Sequence, residues 1–538
     1  MLPPNVSKSD FAAALQEFES AVGKEWVYSV DDDVALYRDA YSPFAVEPPL
    51  QMLASAAVAP SSVEQVQQVV RIANKYKIPL YTVSTGRNLG YGGSSPAQSG
   101  SVVVDLKRMN RVLEVNEAEA FVVVEPGVNF IELYRYFEAN GHPFMVATPE
   151  PGWGSLIGNA LDHGVSYVMG DNFASARGLE VVLPNGEVLR TGMGALPNSR
   201  LWHAFPYGFG PNINGLFSQS NFGIVTKMGF SLARKPAMQA EFTVSSAKSD
   251  DLYPLIGVAQ AMRQQGLLYL SSAASPIRSP MGPPGIEPPP HARRARELLN
   301  RRDGGSPDEW DQLGVESGVP VSVVTGSVRG PTQIVQATLD YAREQFAKIP
   351  GAKFHIDKAL RFPLNLDEIP PDQRPKIGVP SLWPFASLAM GDTRRGMYFF
   401  SPVCRATAED LFAIRQTVRE VVLDHADESI RDLFLGWILA NTVYPNAFIF
   451  AYPFAITDDA SVNKKYRDLF TRLVDTCAER GWGEYRTHVA FQSEVMNQYS
   501  LNNHVLRRFC ESVKDAIDPN GILAPGKSGI WPRRMREG

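Results

Sequence analysis

Near the end of the chain the octapeptide "GWGEYRTH", residues 481–488, places a phenol hydroxyl beside a guanidinium, Tyr485 and Arg486. A hydroxyl donor next to a permanent cation, in a short polar stretch, has the chemistry to hold an anion. A second candidate is the glycine-rich run "GRNLGYGG" at 86–93. Backbone N–H groups approach a phosphate closely only where Cβ is missing, so this run reads either as a phosphate cradle or as a tight turn. The run "GWGSLIG" at 152–158 imitates the dinucleotide fingerprint, but its last glycine falls one residue too late. A His-x-x-His or His-Glu-x-x-His pair and a Gly-x-Ser-x-Gly elbow are missing, and the lysine of "GILAPGKS" (521–528), although it has the Walker spacing, is not read as following a suitable phosphate loop. The sequence therefore argues against ATP hydrolysis, catalytic zinc and a serine nucleophile, and no metal is expected. A large cofactor held by many loops is the reading that remains.

These segments need a scaffold. At 538 residues the chain is too long for one ordinary core, and at about 150 residues per domain it implies two or three units. An apolar fraction of 44% and a charged fraction of 20% are those of a globular protein, and a net charge of −5 gives no electrostatic reason to expect nucleic acid. The basic run "HARRAR" at 291–296 lies beside acidic residues and reads as solvated surface. Cys404, Cys477 and Cys510 match no zinc or redox spacing, which fits a reducing compartment. The start lacks a basic segment followed by an apolar one, and no run approaches 18 apolar residues, so a cytoplasmic protein without a membrane anchor is expected.

The apolar run 52–60 predicts a strand, and Val63, Val66, Val70 and Ala73 predict a helix that starts from a Ser61/Glu64 capping box. A strand at 78–83 completes a βαβ unit whose exit is the glycine-rich loop. Further strands are expected at 101–106, 111–116 and 121–128, a helix from Asn129 to Asn140 stopped by Gly141, and a hairpin over 178–192 turning at Pro184, Asn185 and Gly186. The first 235 residues read as a mixed α/β domain. The proline- and glycine-rich stretch 271–315 reads as a surface insertion around one short helix. Strands and helices resume afterwards, with helices at 331–347 and about 406–424, and the tail 518–532 returns to loop chemistry like that of the first domain.

Six blocks carry a family resemblance: "GRNLGYGG", "SLIGNALDHGVSYVMGD" (155–171), "GLEVVLPNGEVLRTGMGALP" (178–197), "PYGFGPNINGLFSQSNFGIVTKMGF" (206–230), "GWGEYRTH" and "DPNGILAPGKSGIWP" (518–532). In type and order they resemble the vanillyl-alcohol oxidase / p-cresol methylhydroxylase family of flavoproteins, closest to its vanillyl-alcohol and eugenol oxidase branch. The resemblance covers 52–235 and 480–532 and is diffuse over 240–480. It implies an α+β, two-domain fold: an FAD-binding domain from both chain ends, 1–238 and 482–538, and a substrate or cap domain at 239–481. It further implies FAD contacts at Thr85, Gly86, Arg87, Asn88, Leu89, Gly158, Asn159, Gly164, Asp171, Gly223, Ile224, Val225, Arg486 and Lys527, and a phenolate held by Tyr91, Tyr485 and Arg486. Electron density pushed from that phenolate loosens a hydride on the para side chain, giving a quinone methide that adds water or loses a proton; an alcohol substrate goes to the aldehyde. Tyr167 matches a further active-site tyrosine. Plain readings stay beside these: Arg486 as a structural ion-pair partner, Tyr167 as a core tyrosine, Lys527 as a surface lysine.

The sequence departs from the family in three places. Glu150 stands where the oxidases carry an aspartate near flavin N5, either as the acid/base group or as a solvated loop carboxylate. Met397, just before "FFSP", replaces the histidine that tethers the flavin, and "PFASLAMGD" at 384–392 lacks the tyrosine of the hydroxylase branch; Tyr398 is nearby, but strand alternation points it elsewhere. Non-covalent FAD is expected. Paired histidines are missing from 433–454, where Trp437, Tyr444, Phe448 and Phe450 read as core and pocket wall. The function this implies is oxidation of para-substituted phenols with oxygen as acceptor, in a homodimer or larger assembly. A cytochrome-linked dehydrogenase, an oxidase of sugars or 2-hydroxy acids and a non-catalytic flavin-binding relic are the rivals.

Overall fold

The computed structural model describes residues 1–278, 289–383, 394–427, 430–431, 435 and 439–536. Trp437 and the run 384–392 lie outside them. The first sheet holds β1 (Val27–Tyr28), β2 (Ala56–Val58), β3 (Leu80–Val83) and β4 (Val102–Asp105) in the order β1-β2-β4-β3, with β2, β4 and β3 parallel. Helix Val63–Tyr76 connects β2 to β3 and buries Val66, Val69, Val70 and Ala73. The strands of the expected βαβ unit are therefore not neighbours, because β4 lies between them. Residues Ala56 to Val58 and Val102 to Val104 are wholly buried, the unbroken apolar run of a strand covered on both faces. The helix also starts one residue later than expected. Ser62 is the cap, its Oγ accepting from Gln65 N at 3.3 Å, while Gln65 Oε1 accepts from Ser61 N at 2.7 Å. Gln65 can make the back-bond that the sequence reading gave to Glu64, which moves the start along by one.

The tail joins this sheet at its edge. Leu80 N donates to Ile522 O at 2.6 Å, Ala524 N donates to Leu80 O at 2.7 Å, and Leu80 and Leu523 form a parallel bridge. The second sheet is antiparallel, with β5 (Val112–Asn116), β6 (Phe121–Val124), β7 (Ala176–Val182), β8 (Val188–Arg190) and β9 (Ile224–Ser231) in the order β8-β7-β9-β6-β5. The β7–β8 hairpin turns where predicted, at Gly186 with φ +82°. Helix Phe130–Asn140 starts from a reciprocal Asn129/Glu132 box and ends at left-handed Gly141.

A third sheet contains β10 (Met238–Ser246), β11 (Leu270–Ala274), β12 (Ser322–Gly330) and β13 (Lys353–Arg361). After β14 (Arg394–Phe400) come its remaining strands, β15 (Val403–Arg405), β16 (Leu439–Tyr444) and β17 (Ala447–Ile449), giving the order β13-β10-β12-β11-β16-β17-β15 among the described residues. β14 pairs instead with β18 (Tyr452–Thr457). Helices Thr332–Phe346 and Ala408–His425 fall where expected, and Phe242, Leu339, Phe346 and Leu411 share one core.

The described residues of 271–315 are not a surface insertion. They contribute β11 and two helices, Ala292–Asn300 and Pro307–Ser317, and Trp310 is 0% exposed in the core, its Nε1 donating to Gly304 O at 2.9 Å. Pro307 here opens a helix: Ser306 caps it with Pro307 in its first turn, and Gly318, just beyond the stretch, ends it left-handed. Among the described residues no helix is long and apolar enough to cross a membrane.

Candidate functional site

Two distant strands set the octapeptide in place. Val403 N donates to Gly483 O and Tyr485 N to Ser401 O, both at 2.9 Å, and Glu484 accepts from Ser401 N at 2.9 and 3.1 Å. His488 is tied in turn to Asp39, Nε2 to Oδ2 at 2.6 Å, with both side chains buried. Val489 follows, packed so closely on Gly92 that a Cβ there would lie 2.6 Å from Val489 Cγ1; Gly92 also has φ +117°. Gly92→Ala is therefore expected to cost about 1–3 kcal/mol, read as a lowered unfolding temperature. An unchanged temperature would mean the glycine-rich loop does not pin this segment.

This contact brings Tyr91 against Arg486. The guanidinium carbon lies 3.8 Å from the Tyr91 ring centre and 5.8 Å from that of Tyr485, while Tyr91 stacks on Phe399 at 5.6 Å. Tyr485 donates its hydroxyl hydrogen to His163 O. Arg486 Nη2 donates to Asn88 Oδ1 at 3.3 Å, and its Nε lies 3.7 Å from Asp162 Oδ2 without a hydrogen bond. Asp162 also faces Lys527, 3.4 Å from Nζ, and accepts from Asn88 Nδ2 at 3.2 Å. Burial raises the Tyr91 and Tyr485 hydroxyls above the ordinary phenol value, with Arg486 pulling the other way, so both are neutral donors. Burial works against the Arg486 charge, but Tyr91, Tyr485 and Asp162 outweigh it and hold the guanidinium above its usual value. Burial likewise opposes the Asp162 charge, and Lys527 and Arg486 overcome it, keeping the carboxyl below its usual range.

Glu150 and Tyr167 form a second group, the tyrosine hydroxyl donating to the carboxylate. Glu150 is exposed, whereas burial and then the Glu150 charge push the Tyr167 hydroxyl up. Segment 155–172 joins the two groups. A Cβ on Gly158 would lie 2.5 Å from Ser84 Oγ, and one on Gly164 2.2 Å from the Asn159 side chain, whose Oδ1 accepts from Asn172 Nδ2 at 2.7 Å. Asp171 Oδ1 accepts from Phe173 N at 2.8 Å and Ala174 N at 3.1 Å, and Oδ2 from Tyr444 Oη at 2.7 Å. Gly223 presses on Val181, 2.4 Å from Cγ1 to a Cβ placed there, and Ile224 and Val225 begin β9. Thr85 to Leu89 lie in the irregular loop after β3, where Arg87 turns outward and stacks on Trp153, 4.1 Å from its ring centre.

Strand alternation divides Met397 from Tyr398. Tyr398 is 1% exposed among Phe454, Phe470 and Phe491, whereas a Cβ on Gly90 would lie 3.1 Å from Met397 O and 2.8 Å from Phe399 Cε2. Of the proposed aromatic wall, Phe448 and Phe450 are core, and Tyr444 reaches Asp171. Sequence reasoning passed over Asp162, Glu484, Ser401 and the Asp39–His488 pair. Asp162 had a usable signal, since it is one of only two carboxylates in the 155–171 block and buried cations require one. The other partners are separated by tens to hundreds of residues and leave no local pattern.

The residues present suit FAD. Glycines at 86, 90, 92 and 93 all have positive φ and put no side chain over the loop backbone, and a buried guanidinium Nε without a hydrogen-bond partner shares Asp162 with the Lys527 cation. A family model described as an FAD binding domain matches residues 54–192. The chain is 31% identical over 537 residues to the 4-cresol dehydrogenase [hydroxylating] flavoprotein subunit of Pseudomonas putida, covering 98% of each chain. Its structure is similar to that of the 4-ethylphenol oxidase from Gulosibacter chungangensis in an isoeugenol complex, with a TM-score of 0.83, 34% identity and full coverage of both chains. It is also similar to p-cresol methylhydroxylase with substrate bound, with a TM-score of 0.82 and 28% identity over 98% of this chain and 99% of that one.

Proposed function

This chain belongs to the vanillyl-alcohol oxidase / p-cresol methylhydroxylase family of flavoproteins, and from that premise we propose that it oxidises para-alkyl and para-hydroxyalkyl phenols with FAD and passes the electrons to oxygen. One observation carries the reading: a buried, permanently charged Arg486 lies against two neutral tyrosine donors, Tyr91 and Tyr485. A phenol has a pKa near 10, and ionising it away from water requires a fixed cation and hydrogen bonds to its oxygen. Arg486 supplies the charge, and the Tyr91 hydroxyl, joined by that of Tyr485 once it turns from His163 O, orients the oxygen. With the ring ionised, the para side-chain carbon gives up hydride and becomes a quinone methide. Glu150, held by the Tyr167 hydroxyl, takes a proton from water adding to that carbon or from the neighbouring carbon, giving a benzylic alcohol or a vinylphenol.

When bound, FAD supplies the two-electron acceptor for that hydride. Thr85, Gly86, Arg87, Asn88, Leu89, Gly158, Asn159, Gly164, Asp171, Gly223, Ile224, Val225 and Lys527 are the residues proposed to hold it, with Arg486 shared between cofactor and substrate. In this reading 1–238 and 482–538 make the cofactor domain and 239–481 the cap. FAD is held without a covalent bond: Met397 has no group to form one, and Tyr398 is committed to the aromatic core. The free cysteines Cys404, Cys477 and Cys510 suit a cytoplasmic protein. Assembly as a homodimer or larger homo-oligomer belongs to the same proposal. A second reading, electron delivery to a cytochrome partner, is favoured by the likeness to a flavoprotein subunit named as a dehydrogenase.

Three visible spectra test this. Acid precipitation should leave yellow FAD in the supernatant, anaerobic 4-ethylphenol should bleach the flavin, and air should restore its colour. Colour in the pellet would contradict non-covalent binding, and reduced flavin that ignores air would favour the cytochrome reading.

A further inference from the structure

The proposed phenolate site contains one carboxylate that the reaction above does not use. Asp162 lies between both cations of the site, with Oδ1 3.4 Å from Lys527 Nζ and Oδ2 3.7 Å from Arg486 Nε. Asn88 closes the cluster, donating to Asp162 at 3.2 Å and accepting from Arg486 at 3.3 Å. The side chains of Arg486, Asp162 and Lys527 are 12%, 13% and 19% exposed, so water screens them little. Tyr81 faces Lys527 and Asp162, Tyr91 and Tyr485 face Arg486, and burial keeps all three phenols neutral. Burial lowers the imidazole of His163, whose ring meets Ser218 Oγ at 3.0 Å, and raises the carboxyl of Glu484, whose oxygens accept from Ser401 N, so burial disfavours the charged form of each. Asp171, engaged by Tyr444, acts on Tyr485 and His163. Two cations therefore stand against one carboxylate at the centre of the site.

We propose that Asp162 is a positioning residue that sets the charge of this site: by cancelling one of two buried cations, it leaves a single excess positive charge, matched to one bound phenolate. The proposal rests on the phenol reading above. A unit charge a few ångströms away in a poorly hydrated site moves an ionisation by about one pH unit or more. Without Asp162 the bound phenol should ionise more readily. Without Lys527 it should ionise less readily, and without both it should behave as in the native enzyme, because one excess charge is left in each case.

The test uses holoenzyme and 4-tert-butylphenol, which has no hydrogen on the carbon attached to the ring and cannot be oxidised there. Phenolate absorbance of the bound ligand is followed against pH. Asp162→Asn should lower its midpoint by about one unit, roughly tenfold in ionisation, Lys527→Met should raise it by a similar amount, and the double variant should return it close to the native value. A midpoint that Asp162→Asn leaves unchanged or raises would overturn the charge-setting role, as would a double variant no nearer the native value than Lys527→Met alone. That second comparison decides the matter if the single Asp162 variant does not fold. If the native enzyme does not bind or ionise the ligand at all, the phenol reading itself fails, and this proposal with it.

Discussion

Arg486→Met lowers kcat/KM for 4-ethylphenol by about 10²–10³-fold, the size of loss seen when a donor to a developing oxyanion is removed. Methionine keeps much of the length and apolar bulk but leaves Tyr91 and Tyr485 as neutral donors, which orient a phenol oxygen without paying for its charge. The variant also leaves Asp162 with Lys527 as its one cation, so some loss of stability is expected and the rate has to be measured on protein shown to be folded and yellow. Arg486→Lys separates charge from shape. An ammonium restores the charge but not the planar face that lies 3.8 Å from the Tyr91 ring centre, and recovery should be partial. Folded, flavin-loaded Arg486→Met with activity within threefold of native would remove Arg486 from the reaction and leave it as an ion-pair partner only.

Lys514→Met destabilises the fold by about 3–5 kcal/mol, the cost of stranding one half of a buried ion pair. Lys514 and Asp518, one turn apart on the helix Leu501–Ile517 and its cap, are both 0% exposed. The ammonium meets Asp518 Oδ2 at 2.8 Å, Asn221 O at 2.7 Å and Leu523 O at 2.6 Å, which uses all three of its donors. Asp518 accepts from Ile522 N at 3.0 Å and Leu523 N at 2.9 Å. The pair thus fastens the tail, the loop before β9 and the edge of the first sheet at one point. The expected outcome is a lower denaturant midpoint together with easier loss of FAD, since Lys527 lies four residues beyond Leu523. The double variant Lys514→Met/Asp518→Asn should lose less than the sum of the single losses, because neither half is then left charged and alone. An unchanged midpoint for Lys514→Met would contradict this account of how the two chain ends are joined.

Much of the first half of the fold was legible because its signals are local. Asn129 with Glu132, the turn at Gly186 and the apolar run of β2 each announce an element within a few residues. The Ser61/Glu64 box was misplaced by one because Ser62 and Gln65 offer the same bonds, and only packing chooses between them. The described part of 271–315 was misread because proline was counted as a loop residue, whereas Pro307 opens a helix that buries Trp310. At the candidate site, Tyr485 and Arg486 were legible as adjacent donors, and Tyr91 entered through its glycine-rich block. What the sequence could not convey is the joining of Asp162, Asn88, Arg486 and Lys527. Those residues are spread over more than four hundred positions, and no local pattern records that they share one charge balance.

The most direct test of phenolate activation compares 4-ethylphenol with its methyl ether, 4-ethylanisole, in single-turnover anaerobic reduction of the enzyme-bound flavin. The two have the same side chain and the same hydride to lose, but the ether has no proton to give up. The account predicts rapid bleaching by the phenol and a rate at least about a thousandfold lower with the ether, a difference of roughly 4 kcal/mol in barrier. Comparable rates would mean that ionisation at Tyr91, Tyr485 and Arg486 does not drive the reaction.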